Sequence, residues 1–232
     1  MKSDKLFSTS TLGKIFAQNS QLSWLLFIGL IISPVFSFSQ SPQIIYPKGA
    51  YMSFEEIINK TPSRQIDLQI IKRTKGDIKM NGGNDYKLDT EDESIPRKFL
   101  KKEVCAYSKG DTLYLNCLPY KVQTWYTPVI SDGNFLIIRA GLSAKSKEYG
   151  QTIAAGVMFG AVGGAIAGAN AAMLRKLYAI DKKDNKIIPI TESSLKELLA
   201  AKPEVLQLYE AAINKKDENV QMKFLKLLNE WN

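Results

Sequence analysis

The sequence predicts an α+β protein: an antiparallel sheet or small barrel, followed by a Gly/Ala-rich helical segment, a β-hairpin and C-terminal helices. Three observations carry that expectation. Between Ile66 and Arg139, short runs of β-branched and aromatic residues alternate with Gly, Asn and Asp turn signals. From Tyr149 to Leu174 no residue is charged, and Gly156, Gly160, Gly164 and Gly168 recur every fourth position. After Pro203 the apolar residues return at helical spacing.

Taken in order, residues 1–39 read as a signal peptide. Lys2, Lys5 and Lys14 precede the apolar run Trp24 to Ile32, and Pro34 then disfavours a continued helix. That run is shorter than the roughly 20 apolar residues that span a bilayer. Ser37 and Ser39 occupy the small-residue positions for cleavage after Ser39, and no Cys lies nearby for lipidation. Residues 40–148 form a strand-rich region. Ser53-Phe54-Glu55-Glu56 is a capping-box pattern that opens one short helix before Pro62. Strands are expected at Ile66 to Thr74, after a turn at Asn81 to Asn84 at Tyr86 to Thr90, then at Val104 to Tyr107 and Leu113 to Cys117 around Ser108-Lys109-Gly110-Asp111. Lys121 to Ile130 pairs naturally with Asn134 to Arg139 across Ser131-Asp132-Gly133.

Residues 149–175 are the most unusual stretch. At 100° per residue the four glycines and Ala172 share one helical face, with Met158, Val162, Ile166 and Met173 opposite. Each glycine costs about 1 kcal/mol relative to alanine in a helix, so four in register need a packing gain, which close backbone approach supplies. Two readings stand side by side. Residues 152–174 are long enough to insert into a membrane or self-associate through the glycine face. Equally, they form a buried helix, or two short helices broken at Gly163-Gly164, inside the fold. Residues 176–232 then give a hairpin, Leu177 to Asp181 with Lys186 to Ile190, and helices that pack on the sheet. Thr191 or Ser194 caps a helix to about Ala201, Pro203 opens another, and Asp217 caps a last one with the apolar stripe Val220, Phe224, Leu227, Leu228 and Trp231.

Composition narrows the chemistry. The 232 residues carry 31 Lys+Arg against 23 Asp+Glu, a formal charge of +8, with no histidine and two cysteines. Ser-His-Asp and Cys-His nucleophile pairs are excluded, as is histidine-ligated zinc, and two cysteines cannot complete a thiolate metal site. No cofactor, metal or nucleic-acid partner is expected. Cys105 and Cys117 lie on the arms of a predicted hairpin and are a candidate disulfide or two apolar thiols, depending on register. Ser193-Ser194-Leu195-Lys196 carries a Ser-x-x-Lys spacing, but neither Ser-x-Asn nor Lys-Thr-Gly follows, so capping is its expected role. Asp89, Glu91, Asp92 and Glu93 lack the spacing of a calcium loop. Glu55 and Glu56, being adjacent, point to different faces of their helix.

Pro47-Lys48-Gly49-Ala50-Tyr51-Met52-Ser53-Phe54-Glu55-Glu56 resembles the opening of an uncharacterised family of exported Gram-negative proteins, which begin with a Lys-Gly-x-Tyr-x-Ser-Phe-Glu-Glu phrase after a signal peptide. The likeness extends over most of residues 44–200. It implies export and a common fold, and no activity. The expectation is therefore a non-enzymatic cell-envelope protein, periplasmic, outer-membrane-associated or secreted, whose glycine-zipper segment serves helix packing, self-association or membrane contact. The alternative is a soluble periplasmic or secreted module that binds a small molecule or glycan through Trp125, Tyr126 and Tyr120.

Overall fold

Ser53 ends an extended stretch and accepts the amide of Glu56, starting the first helix where the sequence places it. Glu56 does not close a reciprocal box, however; its carboxylate accepts the amides of Met52 and Ser63. The computed structural model describes residues 46–143, 146–158 and 160–230, so the 1–39 signal segment lies outside the described residues. In chain order the elements are β1 (Gly49–Tyr51), α1 (Phe54–Asn59), β2 (Gln69–Lys72), α2 (Lys75–Asn81), β3 (Tyr86–Asp89), α3 (Arg97–Lys102), β4 (Ala106–Ser108), β5 (Leu113–Asn116), β6 (Tyr126–Asp132), β7 (Phe135–Gly141), α4 (Lys147–Val157), α5 (Gly160–Met173), β8 (Arg175–Asp181), β9 (Lys186–Pro189), α6 (Glu192–Leu199), α7 (Pro203–Glu210) and α8 (Glu218–Glu230).

The α+β class holds, and among the described residues the strands form an open antiparallel sheet in the order β1-β4-β5-β6-β7-β8-β9, with β2 and β3 branching from β6. Two strand boundaries and two helices differ from expectation. The strand expected over Ile66 to Thr74 is confined to β2, because Thr74 caps α2 by accepting the Asp77 amide. Helices α2 and α3, which the sequence did not suggest, each bury a single apolar anchor, Ile78 and Leu100, too little for a periodic signal. The strand expected from Lys121 begins only at Tyr126, since Lys121, Gln123 and Trp125 all have left-handed backbone, with φ of 59°, 70° and 74°.

Strands β7 and β8 pair over their full length, from Phe135 opposite Asp181 to Gly141 opposite Arg175. Their side chains alternate between two cores. Leu136, Ile138, Ala140, Tyr178 and Ile180 join the N-terminal core with Tyr46 and Tyr51. Ile137, Leu177 and Ala179 face the C-terminal helices, where Leu195, Leu199, Val205, Tyr209, Phe224 and Leu228 cover them. The expected stripe on α8 is thus core, with Leu225 added; Trp231 lies outside the described residues.

Helix α8 also fixes the β6–β7 turn. Asn229 accepts the Phe135 amide at 3.0 Å and donates to Ser131 Oγ and the Phe135 carbonyl, while a Cβ on Gly133 would lie 2.6 Å from it. Beside that turn the buried Asp132 carboxylate accepts the Tyr46 hydroxyl at 3.0 Å and pairs with Lys60 and Lys182, tying the start of the described chain to the sheet.

Candidate functional site

The chain leaves the sheet at Gly141 and re-enters at Arg175, two residues that pair with each other. Residues 142–174 are thus an excursion between neighbouring strands rather than a crossover. Ser146 caps α4 by accepting the Tyr149 amide. Gly160, at the start of α5, has a φ of +79°, a left-handed conformation that glycine adopts without steric cost.

The reversal brings the two helices into close contact. A Cβ on Gly156 would lie 2.1 Å from Ala167 Cβ and 2.6 Å from the Gly163 carbonyl oxygen, so no side chain fits there. Gly164 and Gly168 also face α4, but less tightly: a Cβ on each would stand 3.8 Å from Val157 Cγ2 and 3.9 Å from Ile153 Cδ1. The expectation of one helix with all four glycines on one face is therefore corrected. Gly156 on α4 meets α5 at the glycine-rich side that holds Gly164 and Gly168, and Gly160 is the hinge. The alternative break at Gly163-Gly164 is not used; both residues lie inside α5. A four-residue glycine repeat cannot tell a zipper between helices from a bend within one, because both want small residues at that spacing.

Among the described residues of the two helices, burial is limited to small side chains, with Gly156 covered by α5. Ala167, Ala171 and Ala172 are shielded, and α5 packs against α2. Arg175 pins the exit, donating to Asp85 Oδ1 at 2.7 Å and to the Ala172 carbonyl at 2.8 Å. The bulky side chains point away from the fold: Val157, Met158, Val162 and Ile166 are 61%, 86%, 74% and 58% exposed. Lys75 and Lys79 on α2, the helix that packs on α5, and Lys147 at the start of α4 are exposed and unpaired with a carboxylate among the described residues.

The other expected site residues are dispersed. Cys105 and Cys117 are free thiols. The Asn116 amide donates to the Cys105 carbonyl, so the register sets Cys105 across from Asn116 rather than from Cys117 or Tyr114. The Cys105 thiol instead donates to the Met52 carbonyl at 3.1 Å, and burial raises both thiol pKa values. Tyr126 is fully buried and donates to the carbonyls of Leu100 and Val104, which removes it from any ligand surface. Tyr120 lines a cleft of about 370 Å³ beside Tyr178 and Ile187, its hydroxyl donating to Asn185 Oδ1. Trp125 alone borders a charged cleft, with Arg73, Arg97 and Lys101, cations that motif reasoning did not connect with it. Their only sequence signal was the four-residue step from Arg97 to Lys101.

Ser194 serves as the reciprocal cap partner of Thr191, and Lys196 pairs with Glu210 at 2.5 Å, away from Ser193. Asp92 accepts the amide and hydroxyl of Ser94, which hold its carboxyl below the ordinary range in a solvated turn. Among the described residues no group of three or more acidic or thiol side chains is placed to hold a metal.

Residues 49–232 match a family of unknown function (DUF6563). No curated protein and no solved structure matches the chain.

Proposed function

We propose, from the premise that the chain belongs to this family of unknown function, that it is a non-enzymatic protein of the cell envelope, held at a membrane surface by its Gly/Ala hairpin. Export is supported by the charged and apolar layout of residues 1–39. The membrane role rests on one observation, the exposure of Val157, Met158, Val162 and Ile166 on a hairpin that carries no charge from Tyr149 to Leu174.

A helix that is apolar all round belongs in a protein core or in lipid. Here α5, apolar apart from the exposed Asn170, buries only Ala167, Ala171 and Ala172. At 1.5 Å per residue its 14 residues rise about 21 Å, enough to pass one leaflet but not a hydrocarbon core roughly 30 Å thick. Among the described residues no helix is long and apolar enough to cross a membrane. The hairpin therefore enters and returns on one side, with β7 and β8 left together outside. The exposed Lys75 and Lys79 on the neighbouring α2 and Lys147 at the start of α4 would meet anionic headgroups, each worth about 1 kcal/mol close to such a surface.

Vesicle flotation of the chain lacking residues 1–39 tests this. The wild type is expected to float with phosphatidylglycerol-containing vesicles, and Met158→Asp with Val162→Asp to reduce the bound fraction at least tenfold with unchanged circular dichroism. Failure of the wild type to float, or a lipid-free dimer abolished by the same substitutions, would overturn the reading.

A further inference from the structure

We infer that the cleft beside Trp125 is a binding site for a phosphate ester of about monosaccharide size, held by Arg97 and Lys101 against the indole. The cleft has a volume of about 360 Å³ and is walled by α2, β3, α3 and the segment that precedes β6.

Its charges do not cancel. Four cations, Arg73, Lys87, Arg97 and Lys101, face it against two carboxylates, Asp77 and Asp89. Arg73 is committed: its buried guanidinium donates to Asp77 Oδ2 at 2.6 Å and to the carbonyls of Gly82 and Asn84. Lys87 stands 3.7 Å from Asp89. Arg97 and Lys101, one turn apart on α3, have no carboxylate partner among the described residues. Lys101 Nζ instead lies 5.0 Å from the centre of the Trp125 ring. Two uncompensated cations at one end of a concave surface, with an aromatic wall, match an oxyanion carried on a compact body.

The wall is built at a conformational cost. A bulky residue with φ of 74° is rare, and Lys121 and Gln123 share the left-handed region. Each costs on the order of 1–3 kcal/mol and persists only where the surroundings impose it. Those surroundings are visible. Asn84 donates to the carbonyls of Val122 and Thr124 and accepts the Gly141 amide, and the Gly83 amide donates to Gln123 Oε1. A Cβ on Gly83 would lie 2.6 Å from both Arg73 Nη1 and Trp125 Cδ1. A loop with only a linking role has no need of such a clamp; one that must present an indole to a cleft does.

The phosphate ester is either a free sugar phosphate or a lipid headgroup, because α2 both lines this cleft and packs on α5 of the hairpin. The test follows the Trp125 indole N–H resonance of the ¹⁵N-labelled chain lacking residues 1–39. One arm titrates glucose 1-phosphate; the other adds phosphatidylglycerol or phosphatidylcholine vesicles. A saturable shift with the soluble ester supports a free ligand, and one only with phosphatidylglycerol supports a headgroup. In either case Arg97→Ala with Lys101→Ala is expected to weaken binding at least tenfold. Lys98→Ala with Lys102→Ala, on the same helix but outside the cleft, should leave it unchanged. No saturable shift in either arm, or equal weakening by both pairs, would overturn the site. The soluble arm is independent of the hairpin, so Met158→Asp with Val162→Asp should not affect it even where the pair reduces flotation.

Discussion

Single glycines in the hairpin carry opposite consequences that their shared spacing hides. Gly156 has no room, so adding one methyl in Gly156→Ala should cost about 1–3 kcal/mol as the helices are forced apart. Gly164 has open contact distance, and Gly164→Ala should gain up to about 1 kcal/mol from helix propensity alone. Gly160 sits in the left-handed region, where alanine costs about 1–2 kcal/mol. Native-state amide exchange of α4 and α5 reads these differences locally, where a global melt could miss them. Equal effects at Gly156 and Gly164 would remove the packing assignment.

At the scale of elements, the hairpin is separable from the sheet that carries it. Because Gly141 and Arg175 already pair, a short Asn-Gly turn can close β7 onto β8. Replacing residues 144–172 by such a turn should leave a folded domain. The loss is the buried methyls of Ala167, Ala171 and Ala172, about 2 kcal/mol in all, or roughly 4–8 °C in melting temperature. The same deletion should abolish vesicle flotation. Failure of the shortened chain to fold would mean that the hairpin base is a structural strut. The C-terminal helices are different in kind, since α8 shields both the β7–β8 face and the β6–β7 turn.

For the molecule as a whole, the missing histidine and the buried phenols set the pH response. Burial pushes the Tyr51 and Tyr178 phenols up to about 12, and raises those of Tyr46, Tyr120 and Tyr126 as well. An unfolded chain ionises tyrosine at about pH 10. A raised folded-state value means that the stabilisation is fully present below about pH 10 and is lost as pH rises through the folded-state values. Stability should be nearly flat from about pH 5 to 8, where histidine is the one side chain of ordinary pKa that changes charge, begin to fall as unfolded-state thiols ionise near pH 8.5 while burial holds Cys105 and Cys117 protonated, and fall steeply above about pH 10. Thermal melts followed together with phenolate absorbance check this. A drop between pH 6 and 8, or full phenol ionisation near pH 10 with the fold intact, would contradict it.

Much of this was legible in the residues. Alternation and turn chemistry located most strands, Thr191 and Asp217 marked helix starts, and the charge-free run from Tyr149 to Leu174 marked the functional candidate, because each is a local pattern with a local cause. Helices α2 and α3 escaped because one buried side chain apiece makes no period. The cleft escaped because Arg73, Arg97 and Trp125 lie far apart in sequence and meet only when β3 pairs with β6. Composition alone excluded histidine chemistry and made the hairpin apolar. Only the tertiary structure decided that Gly160 reverses the chain, that Cys105 faces Asn116, and that the bulky side of the glycine segment points outward. Those outcomes depend on register and on which faces the cores had already covered, and neither is a property of any single stretch of chain.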